Sequence, residues 1–158
     1  MTSNIDGAEM AYHIEPVEQI EELKFVVLGV PVPQGSKVAF IVGKGQKQQR
    51  AVVVDSNKDA LRPWRAAVQH AGEIALAGRT GITDAACVHL EFHMPRPKSV
   101  TRLRPSTKPD IDKLSRSLLD GLTDSGVLQD DALVVSLHVE EWYADDEPYA
   151  AVKVTKCL

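Results

Sequence analysis

Two acidic pairs bracket one short amphipathic stretch, and that arrangement constrains this chain more than any other feature. The first pair, Asp110 and Asp112, opens Lys108-Pro-Asp-Ile-Asp-Lys-Leu-Ser-Arg-Ser-Leu-Leu-Asp-Gly-Leu122; the second, Asp130 and Asp131, closes Val127-Leu-Gln-Asp-Asp131. Pro109 disfavours the helical region for Lys108, so the chain arrives extended. Ile111, Leu114, Leu118 and Leu122 then recur at spacings of three and four, one face of a helix. Asp110 is placed to cap that helix and Asp112 to sit in its first turn, where the helix dipole favours negative charge. Gly121 and Gly126 read as the break that follows.

In mid-helix, residues two apart point to nearly opposite sides. At a helix start one is still extended while the other already turns, so the two carboxylates can converge. Held about 4 Å apart they repel by roughly 4 kcal/mol at an effective dielectric near 20, a cost that a divalent cation removes. Asp130 and Asp131 begin the next apolar run, Ala132-Leu-Val-Val-Ser-Leu-His-Val139, which reads as a strand. One of that pair can return to the same cation. An all-oxygen donor set points to Mg2+, with Mn2+ as the alternative, rather than zinc. Taken singly, an aspartate at a helix start is a cap and Asp-Asp before a strand is a solvated turn; the joint bracketing carries the information.

The span from Lys108 to Leu122, followed by Gly126-Val-Leu-Gln-Asp-Asp-Ala-Leu-Val-Val135, resembles the RusA-like Holliday-junction resolvases. The resemblance extends over most of the chain from about Phe25, and its specific part is the span just quoted. It implies a small Mg2+-dependent endodeoxyribonuclease, of a kind often carried by phages and prophages, that resolves four-way DNA junctions by paired symmetric nicks as a homodimer. The family's metal-binding acids fall on Asp110, Asp112 and Asp131. The family's catalytic lysine falls on Arg116, and its usual asparagine after the first acidic pair is Lys113. Arginine clamps phosphate but scarcely releases a proton. Arg116 is therefore assigned an electrostatic role and Lys113 any proton-donating one.

At 158 residues the chain suits one domain, expected over residues 23–158 after an acidic, flexible leader over 1–22. The leader concentrates Asp6, Glu9, Glu15, Glu18, Glu21 and Glu22 and contains no Lys or Arg. The overall charge of -4 thus hides a remainder of 16 acids against 18 bases, about +2. No apolar run approaches a membrane span and no signal peptide is evident, which implies a cytoplasmic protein without a membrane partner. Cys87 and Cys157 fit neither a disulfide framework nor a metal-ligand spacing, so both are expected to be reduced and idle.

Periodicity predicts strands over Lys24–Val32, Val38–Val42, Ala51–Asp55, Ala85–Met94, Leu133–Tyr143 and Tyr149–Val154. It predicts a helix from Ala60 to about Ala77, capped by Ser56 or Asn57, with Leu61, Trp64 and Val68 inward and His70 on the surface. The fold class is α+β: a small mixed sheet packed by two helices. Gln34-Gly-Ser-Lys37 reads as a hairpin-like turn or, with Lys37 and Ser36, as a phosphate contact. His89, Glu91 and His93 share the polar face of a half-buried strand. That face superficially resembles a metal site, and Glu91 is a candidate fourth acid for the aspartates.

Residues 95–109 carry Arg96, Lys98, Arg102, Arg104 and Lys108 with four prolines and no acid. This stiff basic loop leads straight into the acidic site and is the strongest DNA-binding signal, since phosphate contacts supply affinity without sequence choice. Two rival classes stand beside the nuclease: a junction-binding module that has lost catalysis, and a metal-dependent glycosyltransferase with an Asp-x-Asp motif.

Overall fold

The computed structural model describes residues 16–42, 45 and 50–158, with the backbone alone at Lys37–Val42 and at residues 54 and 55. Six strands and two helices follow in order: β1 (Glu22–Leu28), β2 (Lys37–Val42), β3 (Arg50–Asp55), α1 (Lys58–Leu76), β4 (Ala86–Met94), α2 (Ile111–Asp124), β5 (Val134–Tyr143) and β6 (Tyr149–Lys156). A 3-10 turn at Asp131–Leu133 precedes β5. The four-stranded sheet runs β1-β6-β4-β5, and β2 and β3 form a separate two-stranded ribbon. The mixed sheet and two helices match the α+β architecture expected from the sequence.

β4 and β5 are parallel while β6 runs antiparallel to both β4 and β1. Parallel neighbours need a long crossover connection, usually a helix. The basic loop, α2 and the Asp130-Asp131 turn are that crossover. The topology therefore places both acidic pairs on one connection over one sheet face.

The helices cover that face. Leu61, Trp64 and Val68 of α1 and Leu114, Leu118 and Leu122 of α2 pack with Val88, Leu90 and Phe92 of β4 and Val152 and Val154 of β6. Burying each such large apolar side chain stabilises the fold by about 1.5–3 kcal/mol. Trp64 is a core anchor and His70 is exposed, as read from periodicity.

The structure corrects several readings. Gly121 does not break α2; it lies buried inside it, where a Cβ would meet Val68 Cγ1 at 2.5 Å. Gly72 of α1 is equally tight, with its Cβ position 2.6 Å from Ser125 Oγ. These small residues let the helices approach closely. Gly126, at φ +79°, makes the actual turn. β2 does not return along β1 as a hairpin, because β1 pairs with β6 and β2 with β3.

Cys87 and Cys157 form a disulfide, against the expectation of two idle thiols. Cys87 lies opposite Thr155 on β6, and the Cys157 amide donates to Ala85 O, which brings the chain end onto the start of β4. The leader expected to run to residue 22 meets packed structure sooner: Ile20 is in the core, and the Ile20 amide bonds Thr80 O at 3.0 Å. Residues 1–15 lie outside the described residues. Among those described, no helix is long and apolar enough to cross a membrane.

Candidate active site

α2 begins as expected, but Asp110 does not spend its side chain on the cap. It holds the N-cap position in extended backbone (φ -74°, ψ 133°), and its carboxylate makes no capping hydrogen bond. Its carbonyl accepts from the amides of Lys113 and Leu114, both at 3.1 Å. The carboxylate instead faces Lys113 Nζ at 3.5 Å. Asp112 sits exposed in the first turn, and Arg116, four residues on, is exposed on the same face.

Asp120 continues that face. Burial raises its carboxyl above the ordinary carboxylate range, Arg65 pulls it down, and Asp131 and Asp124 push it up again. Asp131 therefore comes up beside the later turns of α2. Asp130 accepts from the Ala132 amide at 2.8 Å and caps the 3-10 turn, which leaves Asp131 as the uncommitted acid of the pair. The oxygens of Asp110, Asp112 and Asp131 do not all lie within 4.8 Å of one another.

The segment before β2 is laid across α2 by short bonds. Ser117, wholly buried, donates to Val32 O at 2.6 Å, and the Gln34 amide donates to Lys113 O at 3.0 Å. Asn57 donates to Pro33 O at 3.0 Å, and Lys113 Nζ donates to Ser36 Oγ at 3.2 Å. Ser36 is thus a partner of Lys113. The side chain of Lys37 lies outside the described residues. Between this segment, α2 and the basic loop opens a cavity of about 670 Å³, with Gln34, Asp110, Lys113 and Glu141 on its walls.

Glu141 is the acid that the sequence reading missed. Burial raises its carboxyl, and Asp110 raises it further. Its Oε1 is buried without a hydrogen-bond partner. A signal was present: Leu137, Val139 and Tyr143 share its strand face, so Glu141 is a charge in an apolar alternation. Glu91, the earlier candidate for a fourth acid, lies on the opposite sheet face. There it stands between His89 (3.6 Å) and His93 (3.4 Å), with the sheet separating it from Asp110.

The basic loop divides into clamped and free cations. Arg104 bonds Glu140 at 2.9 Å and lies 3.4 Å over the Trp142 ring. Arg102 donates to Tyr143 Oη at 3.3 Å, and Arg96 pairs with Asp145 at 3.7 Å. Leu103 O accepts from the Tyr143 amide, so the loop is stitched along the end of β5. Lys98 and Lys108 are exposed and have no ion-pair partner among the described residues.

The comparison with known families decides what this arrangement belongs to. The family model described as Endodeoxyribonuclease RusA matches residues 32–155, from the segment laid across α2 to the end of β6. The chain belongs to the RusA endodeoxyribonuclease family. It is also 30% identical over 146 residues to an uncharacterized Bacillus subtilis (strain 168) protein, YqaN, across 84% of this chain and 94% of that one. Every residue assigned to the RusA-like site from sequence falls inside the matched span, as does Glu141.

Proposed function

We propose that this RusA-family chain is a Mg2+-dependent endonuclease that resolves four-way DNA junctions by paired nicks. The observation that carries the reading is the start of α2. There Asp110, spared from capping, shares a cavity wall with Lys113 and with the half-buried Glu141, whose buried Oε1 has no hydrogen-bond partner. A group of acids that repel one another, with only oxygen donors, suits a hard divalent cation. Mg2+ keeps several of its waters and is held through few carboxylates, so it does not need acids in mutual contact.

Asp110, Asp112 and Asp131 would hold the ion, with Glu141 as a fourth acid beside Asp110. When bound, it lowers the pKa of a coordinated water and offsets charge on the phosphoryl oxygens. Lys113 holds a proton at Nζ within reach of the cleft for the leaving oxygen. Arg116 offsets charge from the exposed face of α2. Lys98 and Lys108 hold the DNA backbone, and Arg104, Arg102 and Arg96 fix the loop that carries them. Two opposed cuts require two related sites, which a twofold homodimer supplies. The apolar side chains Val135 and Leu137, exposed on edge strand β5, support such an association.

One observation favours a second reading, a junction-binding module without catalysis: arginine stands at position 116, where the family has its lysine. Incubating the purified protein with a synthetic four-way junction and Mg2+, beside Asp112→Asn, separates the two. Paired nicks by the parent alone support the nuclease; tight binding without nicks supports the module.

A further inference from the structure

The face of the four-stranded sheet turned away from the helices carries a second cluster of ligating side chains. On β4, Cys87, His89, Glu91 and His93 alternate with the buried Val88, Leu90, Phe92 and Met94. Parallel pairing sets His89 opposite His138 and Glu91 opposite Glu140 on β5. The rings of His89 and His138 meet edge to face with centroids 4.4 Å apart. One ring nitrogen from each and one carboxylate oxygen of Glu140 all lie within 4.8 Å of one another.

We propose that His89, His138 and Glu140 form a binding site for a borderline transition-metal dication such as Zn2+, independent of the aspartates on α2. Two imidazoles and one carboxylate are the donors such ions prefer, whereas Mg2+ prefers oxygen alone. Ligand atoms on a tetrahedral zinc stand about 3.3 Å apart, so closing the trio takes side-chain rotation of roughly 1.5 Å or less.

The surroundings leave these groups available. His89 Nε2 is buried without a hydrogen-bond partner. Glu91 Oε1, 3.6 Å from it, can act as a fourth ligand or orient the ring. Arg104 engages Glu140 through Oε1, while Oε2 faces His138 at 3.9 Å. Lys153, opposite His89 on β6, is drawn off to Glu22 at 3.2 Å. The site is a cross-strand one: His93, which shares a strand with His89, is instead stacked on Tyr149 at 4.1 Å.

The test titrates the full-length protein with Zn2+ by calorimetry in the presence of excess Mg2+, and repeats the titration with Co2+ while following visible absorption. One Zn2+ per chain is expected, with a tetrahedral Co2+ spectrum that Zn2+ abolishes. His89→Ala and His138→Ala should each weaken Zn2+ binding about tenfold or more, while Asp112→Asn leaves it unchanged. His138 is exposed, so His138→Ala should melt like the parent in the absence of metal and report on ligation alone. Zn2+ affinity unaltered in His138→Ala, or lost in Asp112→Asn, would overturn the assignment.

Discussion

Lys113 Nζ stands 3.5 Å from the Asp110 carboxylate and 3.2 Å from Ser36 Oγ, which ties the helix start to the segment crossing it. General acid catalysis contributes on the order of a hundredfold or more. Lys113→Ala is therefore expected to slow junction nicking about a hundredfold with little change in junction affinity. Single-turnover cleavage of a labelled junction checks this, and a parental rate would remove Lys113 from the chemistry.

Lys98 and Lys108 are exposed loop cations that, among the described residues, are tied neither to an acid nor to a ring. If both meet phosphate, the double variant Lys98→Ala/Lys108→Ala should make the salt dependence of DNA binding shallower by about 1.8 log units per log unit of salt, at about 0.9 per contact. Fluorescence anisotropy across a salt series measures the slope. Arg104→Ala should instead lower thermal stability, since that side chain holds the loop to Glu140 and Trp142.

Glu141 has its carboxyl raised by burial and by Asp110. A raised acid favours folding while protonated, so its benefit is full below the ordinary value of 4.5 and is lost as pH rises through the raised folded value. In metal-free protein, Glu141→Gln should melt about 1–3 °C higher at neutral pH, with the gain vanishing below the ordinary carboxylate range. A gain that grew on acidification would contradict this sign.

A β-carbon at Gly121 would press on Val68 in the centre of the helix pair. Overpacking of this kind costs about 1–3 kcal/mol. Gly121→Ala should lose that much in urea denaturation, and adding Val68→Ala should recover part of it. Equal losses in the single and double variants would place the strain elsewhere.

The Cys87–Cys157 bond closes a loop spanning 70 residues. Restricting the unfolded chain over such a loop stabilises by about 2–4 kcal/mol. Cys157→Ser should cost that amount under oxidising conditions and nothing once the parent is fully reduced. Titratable thiols in the untreated, unfolded protein would show that the bond is absent.

Much of the local structure was legible because its determinants lie within a turn or two of each other. The 3.6-residue spacing of Ile111, Leu114, Leu118 and Leu122 gave α2, and strict alternation gave β4. Gly121 misled because a glycine near a helix end reads as a terminator unless the neighbouring helix is known. Asp110 misled in part for a similar reason: the sequence marks the cap position but not whether the side chain turns inward to use it.

By itself the sequence determined the two helices, the strands, the family and the two acidic pairs, all set by neighbours along the chain. Only the tertiary structure decided that Glu141 faces Asp110, that His89 meets His138, and that Cys87 reaches Cys157. Those meetings depend on strand register and on which sheet face the helices cover. Both are fixed by packing between residues far apart in sequence, where a shift of one position would send each side chain to the other side.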